Sequence, residues 1–232
     1  MSFIRRHLPA LLCAVVLTAM FALQVTTALQ ESQTIDEGVH LSAGLSYWRT
    51  GDFRLNPEHP PLIKMLAAMP LLFTKVTLPT NDSTWQTWDQ YQFGKLFLYH
   101  NTLSPQTILF LGRLPIMLLS ILLGWWIFRA SREMFGPWGG LLSVTLYALE
   151  PGFIAHGHYV TTDLGFTAFS FLSVLRLVKL LDQPTKKNAL WFGLALFIAG
   201  LSKFSAIAWL GVLLITLVLL KLRERHHPVL QF

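Results

Sequence analysis

Cysteine, charge and internal repetition are scarce in this chain, and each shortage narrows the reading. Cys13 is the single cysteine of 232 residues, so no intrachain disulfide forms and thiol content says nothing of redox compartment. It lies inside an apolar run, where a thiol packs as a small hydrophobe. Charged residues make up 13% of the chain against 53% hydrophobic, well under the roughly 25% of a soluble domain. That excludes a soluble globular enzyme, and a mean hydropathy of +0.50 points to an all-α polytopic membrane protein. No repeat, low-complexity tract or soluble-domain boundary is visible. Without repeated halves or acids at mid-membrane, a secondary transporter is also disfavoured.

What is present is a series of apolar runs. They predict about six transmembrane helices, at 8–29, 105–128, 137–150, 163–180, 188–201 and 204–221, in one membrane domain covering 1–232. The first run follows Arg5-Arg6-His7, as a signal peptide would. Its length of about 20 residues suits a full span, however, and Thr26-Thr27-Ala28 is a poor cleavage site, so it is read as uncleaved. Lys203 falls between the last two runs, because a lysine at mid-depth in one helix would need a partner.

Residues 30–104 form an outer loop that is polar but ordered. Within it, 36–49 places Leu41, Leu45 and Trp48 on one helical face, and 61–73 does the same with Leu62, Met65, Leu66, Met69 and Phe73. Both are predicted as amphipathic helices lying in the membrane interface. Asn56-Pro57-Glu58-His59-Pro60-Pro61 reads as a rigid turn, with Pro61 opening the second helix. Trp85, Trp88, Tyr91, Phe93 and Phe97 add an aromatic cluster suited to headgroup depth.

The net charge of +6 and pI near 9.7 suggest nucleic acid until topology is counted. With a cytoplasmic N-terminus, eleven of the 18 basic residues but only three of the 12 acids fall inside. Arg5, Arg6, Arg129, Arg132, Lys186 and Lys187 lead the inner set. The positive-inside rule then accounts for the charge, and no nucleic-acid partner is expected. The same topology gathers Asp36, Glu37, His156, His158, Asp163 and Lys203 on the outer face.

Acids there could act as a general base or hold a divalent cation, with histidine admitting zinc, and Asp36, Glu37, His156 and His158 are the candidate ligands. Lys64, Arg113 and Lys203 are placed where a lipid phosphate could rest. Plainer readings stand beside these. Asp36 and Glu37 could cap the helix they open. Lys64 could snorkel, Lys203 could cap a helix C-terminus, and the histidines could be interfacial hydrogen-bonders.

Several stretches, taken in order, resemble a family. They are Asp36-Glu37, Asn56-Pro57-Glu58-His59-Pro60-Pro61-Leu62, Gly112-Arg113, Glu150-Pro151-Gly152-Phe153-Ile154-Ala155-His156, Thr161-Thr162-Asp163 and Gly200-Leu201-Ser202-Lys203. Together they look like the GT-C superfamily of protein O-mannosyltransferases and lipid A aminoarabinose transferases. The resemblance implies transfer of a sugar from a polyprenyl-phosphate donor to an acceptor hydroxyl on a protein, lipid or glycan, with inversion, outside the cytoplasm. It implies Asp36 as catalytic base, Glu37 supporting it or a metal, and Asp163 as the second acid. Lys203, and then Lys64 and Arg113, would hold the donor phosphate. A divalent metal is an option and not a requirement. Family members carry roughly twice as many spans, so the chain is expected to be an N-terminal half, and a partner chain could supply the rest. The alternative expectation is a non-catalytic subunit that binds or flips a polyprenyl-phosphate lipid.

Overall fold

A computed structural model describes residues 3–226, with side chains over 7–219. The inner-face charges Arg5, Arg6, Lys221, Arg223, Glu224 and Arg225 therefore lie outside the described side chains. Among the described residues there are helices and irregular segments but no strand, as apolar runs in a bilayer demand, since lipid offers the backbone no hydrogen-bond partner.

The first helix, α1 (Phe3–Gln30), leads through an irregular stretch to α2 (Glu37–Thr50). Then come α3 (Leu62–Ala68), a 3-10 turn (Met69–Phe73), and two short helices, α4 (Ser83–Thr87) and α5 (Gln90–Tyr99). The long element α6 (Pro105–Leu149) is followed by α7 (Pro151–His156), α8 (Asp163–Asp182), α9 (Lys186–Ser202) and α10 (Ala206–His226). Side chains cap the junctions: Ser104, Glu150 and Thr185 accept from the N–H of Thr107, Phe153 and Asn188 at the starts of α6, α7 and α9, which satisfies donors a helix start leaves open.

The element α6 is a hairpin of two helical legs. Gly136 adopts φ 76 and ψ 177, a conformation only glycine takes readily, and Pro137 starts the second leg. The legs run antiparallel, so Tyr147 Oη donates to the Ser120 carbonyl at 2.9 Å across 27 positions. Gln24 of α1 joins them by donating to Ser120 Oγ at 3.1 Å. Between lipid-facing helices there is little water to expel, so such buried polar contacts and close packing hold the bundle. Cys13, Leu17, Phe128 and Val144 pack α1 against both legs, which makes the first run part of the fold.

Three helices are long and apolar enough to cross a membrane: His7–Gln30, Pro105–Leu149 and Asp163–Asp182. Of the six expected spans, 8–29, 105–128 and 163–180 fall in these helices. Residues 137–150 are the short return leg of α6, and α9 and the described part of α10 are shorter apolar helices. Lys203 does stand at a junction, in extended conformation between α9 and α10.

Of the two helices predicted as interfacial, α2 departs from that expectation. Every residue from Glu37 to Tyr47 in α2 is buried, so this helix is enclosed and does not lie on a surface. Its glycines explain how. A Cβ on Gly44 would lie 2.0 Å from the Lys64 carbonyl oxygen in α3, and one on Gly94 of α5 would lie 2.8 Å from the Gly38 backbone. In α3 and its 3-10 extension the buried face is Ile63, Lys64, Ala67, Ala68 and Leu71, while Met69 and Phe73 face outward. The predicted apolar stripe is therefore split: Leu62, Met65 and Leu66 are half-buried against the core, and Met69 and Phe73 are exposed.

Candidate active site

The adjacent acids at the start of α2 point to different surroundings, because successive helical residues are separated by about 100°. Glu37 turns inward. Its carboxylate accepts from Arg113 Nε at 2.8 Å and Nη2 at 2.7 Å, from the Thr34 N–H at 2.9 Å and from the Val160 N–H at 3.1 Å. Arg113, two turns into α6, gives its remaining N–H groups to the carbonyls of Ala28, Glu31 and Ser32. All five guanidinium donors are therefore occupied, leaving none for a phosphate. Neither side chain is exposed, so this pair joins the end of α1, the start of α2, α6 and the loop before α8.

Asp36 turns outward. It is exposed, and it caps nothing despite standing at the N-cap position. It lies within electrostatic range of His40 and His59. The His40 and His59 rings meet edge to face with centroids 5.6 Å apart. Burial lowers the pKa of His59, Lys203 and Lys64 lower it further, and Glu58 and Asp36 oppose them.

Asp163, the first residue of α8, receives a hydrogen bond from Lys203 Nζ at 2.6 Å. It also lies within range of His156 and His59. His59 is thus within electrostatic range of both Asp36 and Asp163. The pair is open, with Asp163 52% and Lys203 26% exposed. Beside it is a cavity of about 220 Å³ lined by Glu150, Phe153, His156, Asp163, Leu164 and Thr167. A larger cavity, about 530 Å³, lies on another face of α2 among Gln33, Ile35, Tyr91 and Lys95, and none of the acids lines it.

Lys64 does not snorkel; it is 1% exposed. Its ammonium donates to Tyr47 Oη at 2.8 Å, to the Asn56 carbonyl at 2.7 Å and to the His59 carbonyl at 2.7 Å. Burial pushes its pKa down to about 7. The lysine therefore organises the Asn56–His59 turn from beneath, and does not reach Lys203's side of the site. Asn56 itself takes φ 51, a conformation asparagine tolerates better than most residues.

The four candidate metal ligands are not gathered. Among the described residues no cluster of three or more His, Cys, Asp or Glu could hold a metal ion. Glu37 is committed to Arg113. His158 is 1% exposed, with Nε2 2.8 Å from Glu31 Oε2 and Nδ1 2.9 Å from the Ile154 carbonyl. Burial raises the Glu31 pKa, but hydrogen bonds with His158 and Tyr159 outweigh it and the net direction is down. These donors, committed to other partners, do not suit a shared cation.

Sequence reading passed over His59, His40 and Glu31. The first had a signal, since it sits in the proline-framed turn that also carries the family resemblance. His40 lies four residues after Asp36 and so on its face of α2. Glu31 had none, because its partner is 127 positions away.

Compared with known protein families, residues 107–230 match the dolichyl-phosphate-mannose-protein mannosyltransferase family. The match includes Arg113, His156, His158, Asp163 and Lys203, whereas Asp36, Glu37 and Lys64 precede it. No curated protein and no solved structure matches the chain. With more than half of its length matched, this all-helical, multi-pass membrane chain belongs to the dolichyl-phosphate-mannose-protein mannosyltransferase family of glycosyltransferases.

Proposed function

We propose that this chain carries the acid–base and phosphate-binding half of a GT-C glycosyltransferase site. In this reading it moves a sugar from a polyprenyl-phosphate donor to an acceptor hydroxyl on the non-cytoplasmic face. Asp36 takes the hydroxyl proton, the acceptor oxygen attacks the anomeric carbon, and the bond from that carbon to the phosphate oxygen breaks. A single displacement inverts the configuration. The phosphate leaves with the bonding electrons, and Lys203 neutralises the charge that develops, so no strong acid is needed. Asp163 holds Lys203 in place and faces the sugar cavity. Glu37, Arg113 and Lys64 support the site from within and do not touch the donor. The cytoplasmic N-terminus follows from the distribution of basic residues, and the acceptor class, whether protein, lipid or glycan, is left to the assay.

The observation that carries this reading is an exposed carboxylate that caps no helix, Asp36, within electrostatic range of the same histidine, His59, as the open Asp163–Lys203 ion pair. The test is transfer from a radiolabelled polyprenyl-phosphate sugar by membranes holding the chain. Asp36→Asn is expected to lower transfer by about a hundredfold or more, the scale of a lost general base, with insertion into the membrane unchanged. Unaltered turnover in that variant overturns the assignment. Donor binding without any transfer by the wild-type chain supports the lipid-binding subunit instead.

A further inference from the structure

The segment 157–162, which delivers Asp163, is tied at its start to α7 by the Gly157 and His158 N–H groups and to Glu31 by the His158 ring, but no helix or strand carries it further. Its peptide at Val160 is instead held from both ends by the first turn of α2. The Val160 N–H donates to Glu37 Oε1 at 3.1 Å, and the Val160 carbonyl lies 2.8 Å from His40 Nδ1. Glu37 and His40 are three residues apart and so share a helical face. His40 is 3% exposed and Val160 is 0% exposed, so water does not substitute for these bonds. A carbonyl only accepts, so the hydrogen bond fixes the proton on Nδ1 in either charge state of the ring. Two other features of the segment need an external hold. The Thr161 hydroxyl is buried with no hydrogen-bond partner, and Thr162, next to Asp163, is 1% exposed but makes no side-chain cap to α8.

We infer that His40 is a positioning residue: by donating from Nδ1 to the Val160 carbonyl, it fixes the 157–162 segment and thereby sets Asp163 and Lys203 opposite Asp36. Its consequence for catalysis rests on the glycosyltransferase reading; the hold on the segment does not.

Two readouts separate the two. In a Cys13→Ser background, Thr162→Cys reports whether the segment stays closed, through its labelling by a hydrophilic maleimide in intact membranes. His40→Ala is expected to raise the labelling rate about tenfold, the population change from losing one buried hydrogen bond. His40→Asn, whose amide N–H falls near the Nδ1 position, returns it to within about twofold of wild type, whereas His40→Gln, which mimics Nε2, does not. Where His40→Ala is not recovered from membranes, the Asn and Gln variants carry the comparison. In the transfer assay, kcat follows the same order, low in Ala and Gln and restored in Asn. Equal labelling across all variants overturns the inference, as does rescue by Gln in place of Asn, which makes Nε2 the working atom. A wild-type chain that transfers no sugar removes the glycosyltransferase reading, and the labelling still decides the hold.

Discussion

Arg113 and Glu37 lie 76 positions apart and meet through two hydrogen bonds of 2.8 and 2.7 Å, with neither side chain exposed. A charge at this depth of a membrane helix is costly unless paired and fully hydrogen-bonded, and here both conditions are met. Removing one partner strands the other. Arg113→Met is expected to cost about 3–5 kcal/mol, read as loss of folded protein recovered from membranes. Arg113→Lys recovers little, because an ammonium cannot reproduce the fork. The double variant Glu37→Leu with Arg113→Met is expected to be more stable than Arg113→Met alone.

The Asp163–Lys203 pair behaves in the opposite way. It is partly open to solvent, and such pairs contribute about 0–1 kcal/mol. Lys203→Gln should therefore leave the thermal midpoint in detergent almost unchanged while raising KM for the lipid-linked donor. A variant that melts early with unaltered KM would give Lys203 a structural role only.

Lys64 anchors the Asn56–His59 turn by donating to two of its carbonyls. Lys64→Met leaves the Asn56 and His59 carbonyls without this donor, at about 1–3 kcal/mol for each buried group left unsatisfied. Faster proteolysis within 52–60 is the expected signature, with α1 and α6 still protected.

Acid should weaken the fold through the two facing histidines. Burial lowers the pKa of both His40 and His59 below the ordinary 6.5. The unfolded chain therefore takes up protons before the folded one as pH falls. Stability from this source is full above the unfolded value and is lost as pH falls through the folded values. A thermal midpoint followed from about pH 8 down to about pH 5 should drop below about 6.5, and His59→Asn should flatten that drop.

Glycines test the burial of α2. Gly44→Ala places a methyl 2.0 Å from the Lys64 carbonyl oxygen, which α3 cannot yield without moving, so this small change should be severely destabilising. Gly193→Ala is the control. Nothing lies within 4 Å of the added carbon, and a helix-interior alanine should stabilise by about 0.5–1 kcal/mol. Comparing the recovered, folded fraction of the two variants checks both.

Much of the architecture was legible because it depends on local chemistry. Apolar runs gave α1, the first leg of α6 and α8. Gly136-Pro137, Glu150-Pro151 and Lys203 marked breaks that the structure shows. The hairpin was less legible, since pairing of its two legs depends on contacts such as Tyr147 with Ser120 across 27 positions. The stripe of Leu62, Met65 and Leu66 was legible, but its half-burial against the core was not. That depended on Gly44 admitting α3 to close contact.

The sequence by itself determined the class of molecule: hydropathy and charge bias impose a helical membrane protein, and the order of its acids, prolines and lysines carries its family. Tertiary structure alone decided which charged groups are available. Asp36 and Glu37 are neighbours, yet one is exposed and the other is used by Arg113. Likewise Lys203 is open and Lys64 is enclosed by the turn it supports. The reason is physical. A side chain's freedom to do chemistry is set by the donors and acceptors packed around it, and here those partners come from helices many tens of residues away.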